Sequence, residues 1–201
     1  MKTKVLLRGP ILSRSGYGEQ ARFALRSLRA FEGNMDIFVD ITSWGATNWT
    51  IEDTEEKNWI DQLALKTAQH SQQGGQYDAS LQVTIPNEWE KLAKYNVGYT
   101  AGIESTMIAP QWIEKANMMD KVILTSEHSK YAFEHTTYVA KNQQTGEEYP
   151  LKIETPLIPV NYAVRNTVPE PVELDLETDF NFLVMAQWSI RKNIENTIRW
   201  F

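Results

Sequence analysis

The chain has 201 residues, 42% of them hydrophobic and 23% charged, enough to bury a sizeable core. It contains no cysteine, which excludes disulfides, thiolate metal sites and a cysteine nucleophile. A net charge of −6 argues against nonspecific binding to nucleic acid or to an anionic membrane, and no apolar run approaches the ~18–20 residues of a membrane span.

The N-terminal stretch MKTKVLLRGPILSRSG has one short apolar run, broken at Arg8, which reads as a strand and not as a signal peptide, so a cytoplasmic location is expected. That strand, from Lys4, ends at Gly9-Pro10. Ser13 to Gly18 is a glycine loop. From Glu19 to Phe31, Ala21, Ala24, Leu25 and Leu28 recur at helical spacing, with Arg22, Arg26 and Arg29 on another side. Met35–Ile41 is a second strand. A surface helix runs from about Glu52 to Thr67, and the polar, Gly-containing Gln69–Gln76 is a loop. Third and fourth strands cover Ala79–Ile85 and Asn96–Ile103. Pro110 opens a helix to Met118. Lys121–Thr125 is a fifth strand, after which Ser126 caps a helix. Thr137–Ile153 is an inserted hairpin, and Thr155–Tyr162 is the last strand of a first domain. The Pro- and acid-rich residues 166–179 read as a linker, and Phe180–Phe201 as a buried strand, a loop and a helix opening a second domain.

Strands alternating with helices predict an α/β fold, a Rossmann-like parallel sheet flanked by helices, over residues 1–165. In such sheets ligands bind at the carboxyl ends of the strands, so the loops after strands hold the candidates. Gly16 and Gly18, flanking Tyr17, let backbone amides approach a ligand, or make a plain tight turn. With Ala21 and Asp40 they also fit a dinucleotide-binding pattern. Glu104, after the fourth strand, is placed to orient a sugar hydroxyl, to act as a base, or to cap a helix. Trp44 and Trp49 sit in a loop where aromatic faces can stack on sugars. His128 falls in a first helical turn, the usual place of a surface residue. His70 and His135 have no partners at ligand spacing, so no metal is expected. The adjacent Arg191 and Lys192 stand near a helix start, either holding phosphate oxygens or simply solvated.

The ordered segments SGYG-x-x-AR, GYTAGIESTMIAPQWIEKANMMDKVILTSEHSKYAF, PLIPVNYAV and FLVMAQWSIRKNIENTI together resemble the family-4 retaining glycosyltransferases. The resemblance implies a GT-B fold, two facing Rossmann-like domains with the site between them, of which this chain carries the first and the truncated start of the second. It implies a nucleotide-sugar donor, a carbohydrate or other hydroxyl acceptor, and no metal or further cofactor. On the motif matches, Glu104 is the catalytic candidate. Gly16, Tyr17, Gly18, Gln187, Arg191 and Lys192 fall on the donor or phosphate side, and Trp44, Ser105, Ser126 and Glu127 on the acceptor side. Lys192 matches the family's diphosphate lysine, whereas Ala186-Gln187 replace its Gly-Arg; Arg191 is the candidate to compensate. With half the cleft absent, the chain alone is expected not to transfer sugar, and its apolar terminal segment to self-associate. Two other readings stand beside this one. One is a noncatalytic acceptor-binding domain or partner subunit completed by a separately encoded domain. The other is a dinucleotide-dependent oxidoreductase.

Overall fold

A computed structural model describes residues 2–103, 105–186 and 188–201, and the chain divides into two units, Met1–Val164 and Arg165–Phe201. The first unit opens with strand β1 (Thr3–Gly9), helix α1 (Gly16–Arg29), β2 (Met35–Ile41), α2 (Glu55–Gln72) and β3 (Ala79–Val83). A short 3-10 turn, Pro86–Glu88, leads to β4 (Tyr95–Thr100), α3 (Pro110–Asn117), β5 (Lys121–Leu124) and α4 (Glu127–His135). The hairpin β6 (Tyr138–Lys141) and β7 (Glu148–Leu151) precedes the last strand, β8 (Leu157–Pro159).

Six strands form one parallel sheet in the order β2-β1-β3-β4-β5-β8. This is the doubly wound, Rossmann-like arrangement expected from the alternation of elements. The winding reverses between β1 and β3, the point at which such sheets open a crevice at their carboxyl ends. The register aligns Val39, Leu7 and Leu81 in one row, and Val83, Tyr99 and Ile123 in another. Leu7, Ile37, Val39 and Val83 form a buried cluster with Ala21, Ala24 and Leu25 of α1 and with Ile60 and Leu63 of α2. A second cluster gathers Val122 and Leu124 of β5, Ile113 and Ala116 of α3, Ala132 and Phe133 of α4, and the fully buried Trp89. The chain's apolar periodicity thus becomes two cores, one at each end of the sheet.

Between them lies a buried polar knot. Asn96 Oδ1 accepts from Ser80 Oγ at 2.9 Å and from the amides of Leu92 and Ala93 at 2.9 and 3.0 Å. The Gln82 side chain donates to the Glu90 carbonyl at 2.6 Å and accepts from the Glu90 amide at 3.0 Å. Residues 84–94, which contain no regular structure beyond the 3-10 turn, are therefore pinned by buried side chains that supply the missing backbone partners.

Three helices begin at a capping hydroxyl: Ser15 accepts from the Gly18 amide, Thr54 from Lys57 and Ser126 from Ser129. Helix α1 consequently starts at Gly16, three residues before the expected Glu19. Helix α2 continues through Gln72, into the segment expected as a loop. There His70 stacks on Phe38 with ring centroids 4.6 Å apart and meets Tyr77 at 5.3 Å, so tertiary contact extends a helix that composition alone would end.

In the second unit, residues 165–179 form neither helix nor strand, and α5 spans Ile194–Trp200. Phe182–Ala186, expected as a buried strand, pairs with no strand among the described residues and is exposed. Apolar composition makes a strand only where a neighbour supplies the ladder; here Phe182 instead packs its ring on Phe180 and Phe201, at 5.0 and 4.5 Å. Among the described residues, no helix is long and apolar enough to cross a membrane.

Candidate functional site

The loop after β1 is built to hold the start of α1 in one place. Arg22 donates to the carbonyls of Ile11 and Ser13 at 2.6 and 2.9 Å and also pairs with Glu19. Ser13 Oγ bonds Ser15 Oγ at 2.8 Å and Thr47 Oγ1 at 2.7 Å. The Arg14 amide donates to Asn48 O at 2.8 Å, and the Thr50 amide to Leu12 O at 2.7 Å. The loops after β1 and β2 are thus joined side by side. Trp44, on the second of them, lies against the Tyr17 ring at 4.4 Å. The Tyr17 hydroxyl is 2.7 Å from Thr100 Oγ1 and accepts from the Ala101 amide at 3.1 Å. One side chain therefore ties the α1 N-terminus to the end of β4.

Beyond β4 the chain turns at Gly102, whose φ of 85° favours glycine. A Cβ there would lie 2.1 Å from Ser129 Oγ, so the absence of a side chain lets this tail cross the first turn of α4. Ser126 Oγ donates to Ser129 Oγ at 3.0 Å, and Thr125 Oγ1 donates to the Ala101 carbonyl at 2.6 Å. Across these strand ends lies a cleft of about 470 Å³. Tyr17 and Tyr162 wall it, Ile85 and Ile103 give it an apolar surface, and Ser126, His128 and Ser129 line it from α4. Its residues follow β1, β3, β4, β5 and β8, where a parallel α/β sheet places its ligands.

The Tyr162 phenol is raised above its ordinary value, first by burial and then by Tyr17 and Tyr99. A raised phenol keeps its proton in the folded state after the unfolded chain has lost it. Its linkage contribution is therefore complete below the ordinary value of 10.0 and is lost as pH rises through the higher folded value. Tyr162→Phe should flatten the fall of stability over that alkaline window and leave neutral stability nearly unchanged. Thermal unfolding of both proteins from about pH 8 to 11.5 measures it; parallel curves would show that Tyr162 does not carry the effect.

The structure brings together some of the residues picked out from sequence and not others. Tyr17 and Ser126 line the cleft. Trp44 supports Tyr17 from behind. Gly16 opens onto free space, with nothing within 4 Å of an added Cβ. The Gly18 Cβ position instead faces the chain itself, 2.0 Å from Ser13 O, and its amide is taken by the Ser15 cap. Ser105 donates to the Met107 carbonyl at 2.8 Å, and Glu127 is exposed in the first turn of α4; neither lines the cleft. Arg191 and Lys192 belong to the second unit and are exposed. Glu104 and Gln187 lie outside the described residues. Asp40, the dinucleotide-pattern acid, stands 3.3 Å from Arg8.

The strand-end loops at Ser126–Lys130 and Asn161–Tyr162 are among those expected to hold candidates, but His128 reads as surface in the sequence, and Tyr162 and Ser129 are given no role there. The strand-end rule places them, because each closely follows the end of β5 or β8, but it assigns no chemistry to a side chain. Among the described residues, no group of three His, Cys, Asp or Glu is placed to hold a metal ion. Compared with known protein families, curated proteins and solved structures, the chain matches none.

Proposed function

We propose that the chain carries the acceptor-side domain, with the start of the donor-side domain, of a retaining GT-B glycosyltransferase that uses a nucleotide-sugar. The cleft at the ends of β1, β3, β4, β5 and β8 carries this reading. It pairs aromatic walls, Tyr17 and Tyr162, with hydroxyls and an imidazole, the mixture that receives a sugar's apolar ring face and its polar edge. The resemblance of the ordered motifs to family-4 transferases supplies the reaction. Glu104 is then the group beside the reacting hydroxyl, and Gln187, Arg191 and Lys192 the diphosphate contacts. Transfer by positioning needs both reactants held in attack geometry, so a second wall must face this one.

The test is to assay protein made from the complete reading frame with a panel of sugar nucleotides and hydroxyl acceptors. A product that keeps the donor's anomeric configuration is the expected result. Neither transfer nor donor hydrolysis with any pair would overturn the reading. A noncatalytic acceptor-binding domain is the second reading, favoured by the unpaired Phe182–Ala186 segment, and predicts ligand binding in the cleft without transfer.

A further inference from the structure

We propose that a second cavity, beside the cleft and against α1, takes the alkyl or isoprenoid chain of an amphiphile whose polar end lies in the cleft, with Gln20 at the junction. This goes beyond the transferase reading and concerns binding alone. The cavity holds about 230 Å³ between α1 and the sheet. Phe23, Leu28, Leu81, Tyr99, Ile123 and Val160 give it an apolar lining. Ser27, also in its wall, donates its hydroxyl to the Phe23 carbonyl at 3.0 Å and so adds little polarity.

The winding of the sheet leaves this surface open. Helices α1 and α2 pack on the face that carries Leu7, Val39 and Val83, at β1, β2 and β3. Helices α3 and α4 pack on the other face, against Val122 and Leu124 of β5. Tyr99 and Ile123 stand in the Val83 row, on the α1 face but beyond those three strands. Ile158, paired with Ile123, and Val160 continue that face at the edge of the sheet and are half-exposed. Apolar sheet surface therefore runs along one flank of α1.

The cavity adjoins the cleft. Residues 160–163 border both, Tyr162 on the cleft and Val160, Asn161 and Ala163 on the cavity. Helix α1 also borders both, with Tyr17 on the cleft and Phe23 and Ala24 on the cavity. Gln20 comes between them, three residues after Tyr17 and three before Phe23, on the same flank of the helix. It is 2% exposed, and neither Oε1 nor Nε2 has a hydrogen-bond partner among the described residues. A carboxamide buried with both ends unpaired costs stability. A ligand linkage that carries an acceptor and a donor, such as a glycosidic oxygen beside a hydroxyl, would pair it.

Size decides the kind of occupant. About 230 Å³ is below the roughly 300–1,000 Å³ of a whole small-molecule site, so the cavity suits an appendage of a ligand held next to it. A protein partner would need far more surface, roughly 800 Å² a side. A methylene chain needs only apolar walls, and these it has.

The experiment titrates the chain with methyl, butyl, hexyl and octyl β-glucoside below their micelle concentrations. Methyl NMR resonances of Leu28, Ile123 and Val160 report the cavity, and ring resonances of Tyr17 and Tyr162 the cleft. Octyl glucoside should move both sets, and methyl glucoside the cleft set alone. Affinity should rise about fourfold per methylene until the cavity is full, the worth of one buried CH₂. Ala163→Trp, at an exposed position in the cavity wall, should abolish that gain and spare methyl glucoside. Gln20→Leu should melt no lower than the unaltered chain yet bind octyl glucoside about tenfold weaker, a combination that a purely structural glutamine would not give. Affinity indifferent to chain length, a gain that survives Ala163→Trp, octyl glucoside that leaves either set unmoved, or unchanged octyl affinity in Gln20→Leu overturns the proposal. So does a concentration-dependent dimer that Ala163→Trp disrupts, which would give the cavity to a second copy of the chain. If the alkyl series behaves as expected while the complete reading frame transfers nothing, the transferase reading falls and the cavity's ligand stands. Transfer to acceptors without any gain from chain length has the opposite meaning.

Discussion

Gly18→Ala should destabilise the first unit by about 2–4 kcal/mol, the upper range of an overpacked core position. Gly16→Ala, two residues away in the same helical turn, should change stability little or raise it by about 0.5 kcal/mol. The difference is steric. A Cβ on Gly18 would sit 2.0 Å from the Ser13 carbonyl oxygen, 2.8 Å from its carbon and 3.0 Å from the Pro10 carbonyl oxygen. All three are backbone atoms, and Ser13 cannot yield easily. Its amide donates to Pro10 O at 2.9 Å, its carbonyl accepts from Arg22 at 2.9 Å, and its hydroxyl holds Ser15 and Thr47. Displacing it loosens the joined loops and moves Tyr17, so ligand binding in the cleft should fall with stability.

Thermal unfolding of the two variants decides the point. At roughly 2–4 °C per kcal/mol for a chain of this length, Gly18→Ala should melt about 5–15 °C lower. Equal melting temperatures for the two would show that the loop relaxes freely. A Gly16→Ala protein of unchanged stability that no longer binds ligand would mark the open space at Gly16 as part of the ligand's approach.

The two glycines show how far sequence carries. Their place at a strand-to-helix turn was readable, and so was the turn's closeness to a ligand site. Which of the two serves the chain's own packing was not, because the Ser13 carbonyl that decides it is fixed by Arg22, nine residues on and reaching back across the loop. The six parallel strands were readable for a plainer reason. Most are short apolar runs, with β1 ended by Gly9-Pro10 and β5 by the capping Ser126, and such signals are local. The cleft's walls are not local: Tyr17 and Tyr162 lie 145 positions apart in the chain and share one space only after β8 joins the sheet beside β5. The Phe182–Ala186 segment errs in the other direction, since its local signal for a strand is strong but, among the described residues, it pairs with no strand.

The largest loss is expected from Asn96→Ala, which should cost about 2–4 kcal/mol, because it leaves the buried Ser80 hydroxyl and two partly buried amides unpaired, each at roughly 1–2 kcal/mol. The residue is 3% exposed, and its Oδ1 alone serves the Leu92 and Ala93 amides and the Ser80 hydroxyl. Its Nδ2 also donates to the Ala93 carbonyl at 2.8 Å. No sheet or helix bond stands ready to replace these, because residues 90–94 lie outside any element. Ser80→Ala, which removes one hydroxyl and leaves the two amides paired with Asn96, should cost only about 1 kcal/mol. The effect should reach the cleft as well as the fold, since the segment that Asn96 anchors includes Ile85, part of the cleft's apolar surface. Hydrogen exchange reads this directly. In Asn96→Ala the Leu92 and Ala93 amides should lose protection before the β1 amides do, and the cleft ligand should bind more weakly at temperatures where the sheet is still intact. If those amides stay protected and the melting temperature barely moves, the loop is held by its Trp89 packing instead, and the polar knot is not what keeps this wall in place.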